Sequence, residues 1–146
     1  EVTVLLPVLQ AYQQLGQPAK AQLTLTRLVP LCDRTLNDPQ ADTPRLQAAL
    51  QTYQLANNAS MMERALERLV QVNPASPEFW YDLGALRSFM QKTNGAITAV
   101  SNALHHSDAR LKQAPNAQNL RSLAASDGRF NNVRAQPEFQ KLTAPR

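Results

Sequence analysis

The sequence predicts an all-α protein built from stacked antiparallel helical hairpins, and three observations carry that expectation. The 146 residues hold only four glycines and 5% aromatics but much Ala, Leu and Gln, a composition that favours helix over strand. Apolar residues recur at steps of three and four, as in Leu46-Ala49-Leu50-Tyr53 and Met62-Leu66-Leu69-Val70, which draws one stripe along a helix. Breakers at 16–18, 38–44, 57–60, 73–77 and 93–95 divide the chain into segments of about 12 to 20 residues, the length of ordinary helices. The length fits one domain, 1–146, and suffices to bury a core.

The segments repeat. A shift of 34 residues lays Leu46 on Trp80, Leu50 on Gly84, Met62 on Ala96, Leu66 on Val100 and Leu69 on Ala103, and lays the turn 57–59 on 91–93. A looser copy precedes them in Leu5, Leu9, Tyr12, Leu15-Gly16, Ala21, Leu25 and Leu28. Tyr12 lies 41 residues before Tyr53, and the seven extra residues are two helical turns. They are best placed in a long second helix from about residue 18 to 36, which Pro30 should bend.

These units resemble the tetratricopeptide repeat (TPR) family. Trp80-x2-Leu83-Gly84 followed by Ala96-x3-Val100 is similar to the family's Trp-x2-Leu-Gly and Ala-x3-Phe elements. The second unit keeps Tyr53, Met62-x3-Leu66 and the closing Asn73-Pro74; the first keeps Tyr12 and Ala21-x3-Leu25. Small residues such as Ala21 and Ala96 let two helices approach, while Trp80, Tyr12 and Tyr53 fill gaps between layers. Arg87 stands where Tyr is usual and Asp108 where Pro is usual. The resemblance implies three hairpins in a right-handed superhelical array, with repeat 1 at about 3–40, repeat 2 at about 43–76 and repeat 3 at about 77–108. Residues 109–146 would then be a C-terminal helical cap over the last apolar face. Leu111, Leu120, Leu123 and Ala124 suit its covering helix. The ending Arg129-Phe130…Val133-Arg134…Pro137-Glu138-Phe139…Leu142 resembles tails found after bacterial repeat arrays, so Phe130, Phe139 and Leu142 should be buried by short helices folding back on the third repeat.

Polar composition limits the possible functions. Fifteen Gln and ten Asn exceed four Lys, so amides rather than charges cover much of the surface. The net charge of +4 divides unevenly: residues 1–108 carry eight basic and nine acidic side chains, and residues 109–146 carry seven and two. That modest basic tail has its aromatics in a cap-like rhythm, and no nucleic acid partner is expected. Adjacent His105 and His106 point about 100° apart on a helix and cannot share a metal; they read as polar residues near a helix C-terminus. Cys32 has no histidine near it in sequence and reads as a small buried hydrophobe. Glu63 and Glu67 alternate with Arg64 and Arg68 as a solvated, salt-linked face. The glycines, at 16, 84, 95 and 128, are too dispersed for a phosphate loop. Neither catalysis, nor a cofactor, nor a metal is expected.

The family resemblance places function on the first helix of each hairpin. Carried over, the inner face holds Leu6, Gln10, Gln13 and Gln14 in the first unit, and Gln47, Gln51, Gln54 and Leu55 in the second. The third contributes Glu78, Tyr81, Ala85, Ser88 and Phe89. Gln offers both donor and acceptor to an extended backbone, with Tyr81 and Phe89 as apolar anchors; alternatively the amides simply fill exposed helix. Chaperone-tail binders of the family (the Hsp70 and Hsp90 type) need cations at inner positions that here carry Leu6, Gln10, Ala48, Glu78 and Asp82, so an acidic C-terminal tail is disfavoured. The expected function is a non-catalytic protein–protein interaction scaffold that takes a peptide or helix in its groove. The alternative is a soluble C-terminal appendage of a longer, membrane-bound bacterial protein with a structural or oligomerising role, self-association being one variant. A non-Met start and no signal-peptide pattern suggest a piece of something longer, and bacterial cytoplasm and periplasm suit the composition equally.

Overall fold

In a computed structural model, which describes residues 1–146, the chain is all-helical. The elements are α1 (Val2–Gln14), α2 (Pro18–Asn37), α3 (Thr43–Leu55), α4 (Ala59–Val72), α5 (Pro77–Phe89), α6 (Thr93–Gln113), α7 (Leu120–Ser126), a 3₁₀ turn (Gly128–Phe130) and α8 (Pro137–Thr143). They form two compact units, Glu1–Val72 and Asn73–Arg146.

The internal repeat is visible in the hairpin ends. Gly16, Asn57 and Gln91 follow the first helix of each hairpin and share a left-handed backbone, with φ of 63°, 53° and 58°. At each end the next residue's N–H returns to the carbonyl five residues back: Gln17 to Tyr12, Asn58 to Tyr53 and Lys92 to Arg87. This closes the last turn and satisfies carbonyls that a helix end leaves open. The three ends are spaced by 41 and 34 residues, the periods read from the sequence.

In the first unit, α1 packs on α2 and α3 on α4, while α1–α3 and α2–α3 contacts stack one hairpin on the other. Leu6, Leu9, Ala21 and Leu28 form the core of the first hairpin. The long second helix is present, and α2 continues through Pro30 as one element. Its C-terminal end reaches α4: Arg68 donates to the carbonyls of Leu36 and Asp38, and Arg64 to Asn37. The Glu63–Arg68 stretch is thus solvated only in part: Arg64 is exposed, Glu67 and Arg68 are half-buried and Glu63 is buried, and the end of α2 gives the two arginines internal acceptors. Tyr53 is fully buried and its hydroxyl donates to Asp33 on α2. Cys32 is buried beside Thr52, and burial pushes its thiol above the ordinary value.

The second unit is one hairpin wrapped by its own C-terminal segment. Gly84 lets α5 and α6 approach closely: a Cβ there would meet Val100 Cγ2 at 2.7 Å and backbone atoms of Val100 and Ala96 at 3.2 and 3.3 Å. α6 runs on to Gln113, five residues past Asp108, so His105 and His106 lie inside a helix rather than near its C-terminus. Asp108 is an ordinary helix residue where a proline would have stopped the chain; Pro115 lies just past the actual end. α7 and α8 pack on α6, and the 3₁₀ turn packs on α5. Phe130 and Phe139 are fully enclosed, and Leu142 is half-buried against the same core.

Candidate binding faces on the first helices of the hairpins

The two periods define equivalent positions on α1, α3 and α5. Leu6, Gln47 and Tyr81 correspond, as do Gln10, Gln51 and Ala85, and Gln13, Gln54 and Ser88. On α3 the three amides are all exposed; on α1 Gln13 and Gln14 are exposed and Gln10 is half-buried. Beside them in the first unit lies a cleft of about 420 Å³ lined by Leu9, Leu25 and Leu55 and bordered by Gln13, Gln17 and Gln22. Its lining carries no charge, and Gln17 Oε1 is buried without a hydrogen-bond donor. A surface of this kind can exchange hydrogen bonds with an uncharged backbone over an apolar floor.

The corresponding face of α5 is closed, and this corrects the expected anchor Tyr81 and the expected groove residue Ser88. Tyr81 is only 3% exposed and Ser88 is fully buried. Phe130 meets the Tyr81 ring edge-on at 5.1 Å and stacks tilted on Phe139 at 5.4 Å. The Tyr81 hydroxyl donates to Asp127 at 2.9 Å, and Asn132 donates to the Ser88 carbonyl at 3.0 Å. Burial, then the bond to the Asp127 carboxylate, pushes the Tyr81 phenol well above its ordinary range. Burial also works to raise Asp127, but hydrogen bonds from Arg129 outweigh it and hold that carboxyl below the ordinary value. The chain's own tail thus occupies the place given to a ligand. Phe89, at 72% exposed, is left outside this cover, and Glu78 is exposed but tied to Arg110.

The basic tail is consumed in the same way. Arg129 bridges Asp127 and Asp82 and lies 5.4 Å over the Tyr81 ring. Arg121, almost wholly buried, holds Asp108 and the Leu142 carbonyl. Arg134 donates to the carbonyls of Ala125 and Asp127, and Arg146 pairs with Asp108. Five of the seven tail cations, counting Arg110, therefore face internal acceptors. The sequence counted their charge correctly but gave no sign of where it would be spent.

His105 and His106 stack edge to face at 5.2 Å, and no group of three or more His, Cys, Asp or Glu side chains is placed to hold a metal ion. No helix is long and apolar enough to cross a membrane. Among known proteins, no family model, no curated sequence and no solved structure matches the chain.

Proposed function

We propose that the chain is a non-catalytic, TPR-like protein-interaction module, and that its working surface is the amide face of the first unit. One observation carries the reading. At equivalent register, α1 and α3 present Gln13, Gln51 and Gln54 fully and Gln10 partly to solvent, whereas α5 places Ala85 and Ser88 under the chain's own tail. Amides stand where the face is open and small residues where it is covered. The partner that suits the open face is an uncharged, extended peptide segment, held through backbone hydrogen bonds with an apolar side chain over Leu9, Leu25 and Leu55. The helices are preformed, so little ordering cost falls on the protein. An acidic C-terminal tail does not suit it, since no cation stands at Leu6, Gln10 or Ala48. The carboxylates Glu78 and Asp82 in the second unit already have Arg110 and Arg129.

The reading is tested by selecting a displayed random-peptide library on the wild-type chain and on a Gln13→Arg, Gln51→Arg, Gln54→Arg variant that still unfolds cooperatively. A peptide consensus enriched by the first and lost by the second supports it. No enrichment, or the same consensus on both, overturns it.

A further inference from the structure

The helix α1 is apolar on both sides. Its inner side gives Leu6 and Leu9 to the core of the first unit. On the opposite side Val4, Val8, Ala11 and Leu15 are all exposed, at steps of four, three and four; Val4 and Leu15 are 66% and 68% exposed. No charged residue occurs in 2–19. An apolar stripe on a helix is ordinarily covered by another element, and α1 carries two, of which only the inner one is covered here.

The cover for the equivalent face is present in the same unit. The 41-residue period carries Val8 to Ala49 and Ala11 to Thr52 on α3, and both of those are fully buried. The preceding hairpin's second helix, α2, packs on α3; Cys32 of α2 is buried beside Thr52, and the Tyr53 hydroxyl donates to Asp33 of α2. We infer that the outer face of α1 is a docking surface for the second helix of another hairpin of this chain's own repeat type, lying on α1 as α2 lies on α3. The surface continues an interface the fold already uses, one period earlier. It lies on the side of α1 away from the core, bears Val and Leu rather than amides, and is distinct from the peptide face. With no charge on the helix, its affinity comes from apolar burial and should be insensitive to salt.

The test duplicates residues 2–42 ahead of Val2, so that Asp42 precedes Val2 as it naturally precedes Thr43. The added second helix can then reach the original α1. Backbone amides of the original α1 should exchange hydrogen roughly tenfold more slowly than in the unextended chain. Val8→Asp in the original copy should remove that gain, the same substitution in the added outermost copy should leave it, and Val8→Thr in the original copy should keep most of it. Unchanged exchange in the extended chain overturns the inference. So does a dimer of the unextended chain, seen by sedimentation and lost on Val8→Asp, because the face would then belong to a second copy.

Discussion

The helices α3 and α5 are built on one register and meet opposite fates. Gln47, Gln51 and Gln54 of α3 are open to solvent; Tyr81, Ala85 and Ser88 of α5, one period later, lie under residues of the chain's own C-terminal segment. Side-chain type follows the cover. An open face needs polar groups that tolerate water and good helix propensity, which Gln supplies. A covered face needs either a small residue that admits another backbone or a large ring that fills the gap, and Ala85, Ser88 and Tyr81 meet those needs. In each unit, moreover, a buried tyrosine reaches a carboxylate on the neighbouring element, Asp33 for Tyr53 and Asp127 for Tyr81. The same anchor thus holds a neighbouring hairpin in one unit and a cap in the other.

The comparison breaks most sharply at Phe130. Truncation to Ala removes a fully buried ring packed between Tyr81 and Phe139, and should cost about 3–5 kcal/mol. If α5 is covered by the tail as described, hydrogen exchange should accelerate along α5 and α6 while α1 and α3 keep their rates. Equal acceleration in both units would mean that the cap does not belong to the second unit alone. Next in size is Gly84→Ala. Alanine gains about 1 kcal/mol of helix propensity, but its Cβ meets Val100 at 2.7 Å, so a net loss of about 1–3 kcal/mol is expected in denaturant melts. The equivalent residues Leu9 and Leu50 show that the other hairpins are not closed this tightly.

Much of this was legible in the sequence, and the reason it stopped is physical. Periodicity located the helices because a step of three or four reports which side faces a neighbour in the same hairpin. The 34- and 41-residue spacings located the hairpin ends, and the extra two turns of α2 followed from their difference. Burial of Phe130 and Phe139 was legible because apolar residues in a polar tail must be covered somewhere. That they fold back on the third repeat was legible too, but not that they cover the groove face of α5, since this depends on contacts between residues such as Tyr81 and Phe130, about fifty positions apart, that no local pattern encodes. The change from Gln47, Gln51 and Gln54 to Tyr81, Ala85 and Ser88 at fixed register was the available signal. It reads as a covered face once equivalent positions are compared for polarity rather than collected into one groove. The arginines failed for a related reason: their targets include backbone carbonyls of Leu36, Asp38, Ala125 and Leu142, which carry no mark in the sequence.

The two tyrosines sharpen the comparison through pH. Burial is the first cause, and the bond to a carboxylate the second, by which each folded phenol is raised above its ordinary value of 10.0. Above that pH the unfolded chain releases protons that the folded chain retains, so stability falls as pH rises past 10. Tyr53→Phe and Tyr81→Phe should each reduce that alkaline slope. Each should cost about 1 kcal/mol at neutral pH, through the hydrogen bond lost by Asp33 or Asp127. Urea melts of the two variants at neutral pH and above pH 10 decide it. A slope unchanged in Tyr53→Phe but reduced in Tyr81→Phe would confine the effect to the capped unit.

The smallest effect is expected from the largest number of substitutions. Changing Gln47, Gln51 and Gln54 together to Ala should leave stability within about 0.5 kcal/mol of wild type, because each is exposed and Ala is the stronger helix former. At the aligned position on α5, Tyr81→Ala should cost several kcal/mol, as expected for emptying a core site. The contrast at one register position separates a face kept for a partner from a face used by the fold. A loss of more than about 1 kcal/mol in the triple variant would show the amides of α3 to be structural. The α3 side of the open face would then offer a peptide no uncommitted hydrogen bonds, and the proposed binding surface would lose that side on stability grounds before any ligand was tried.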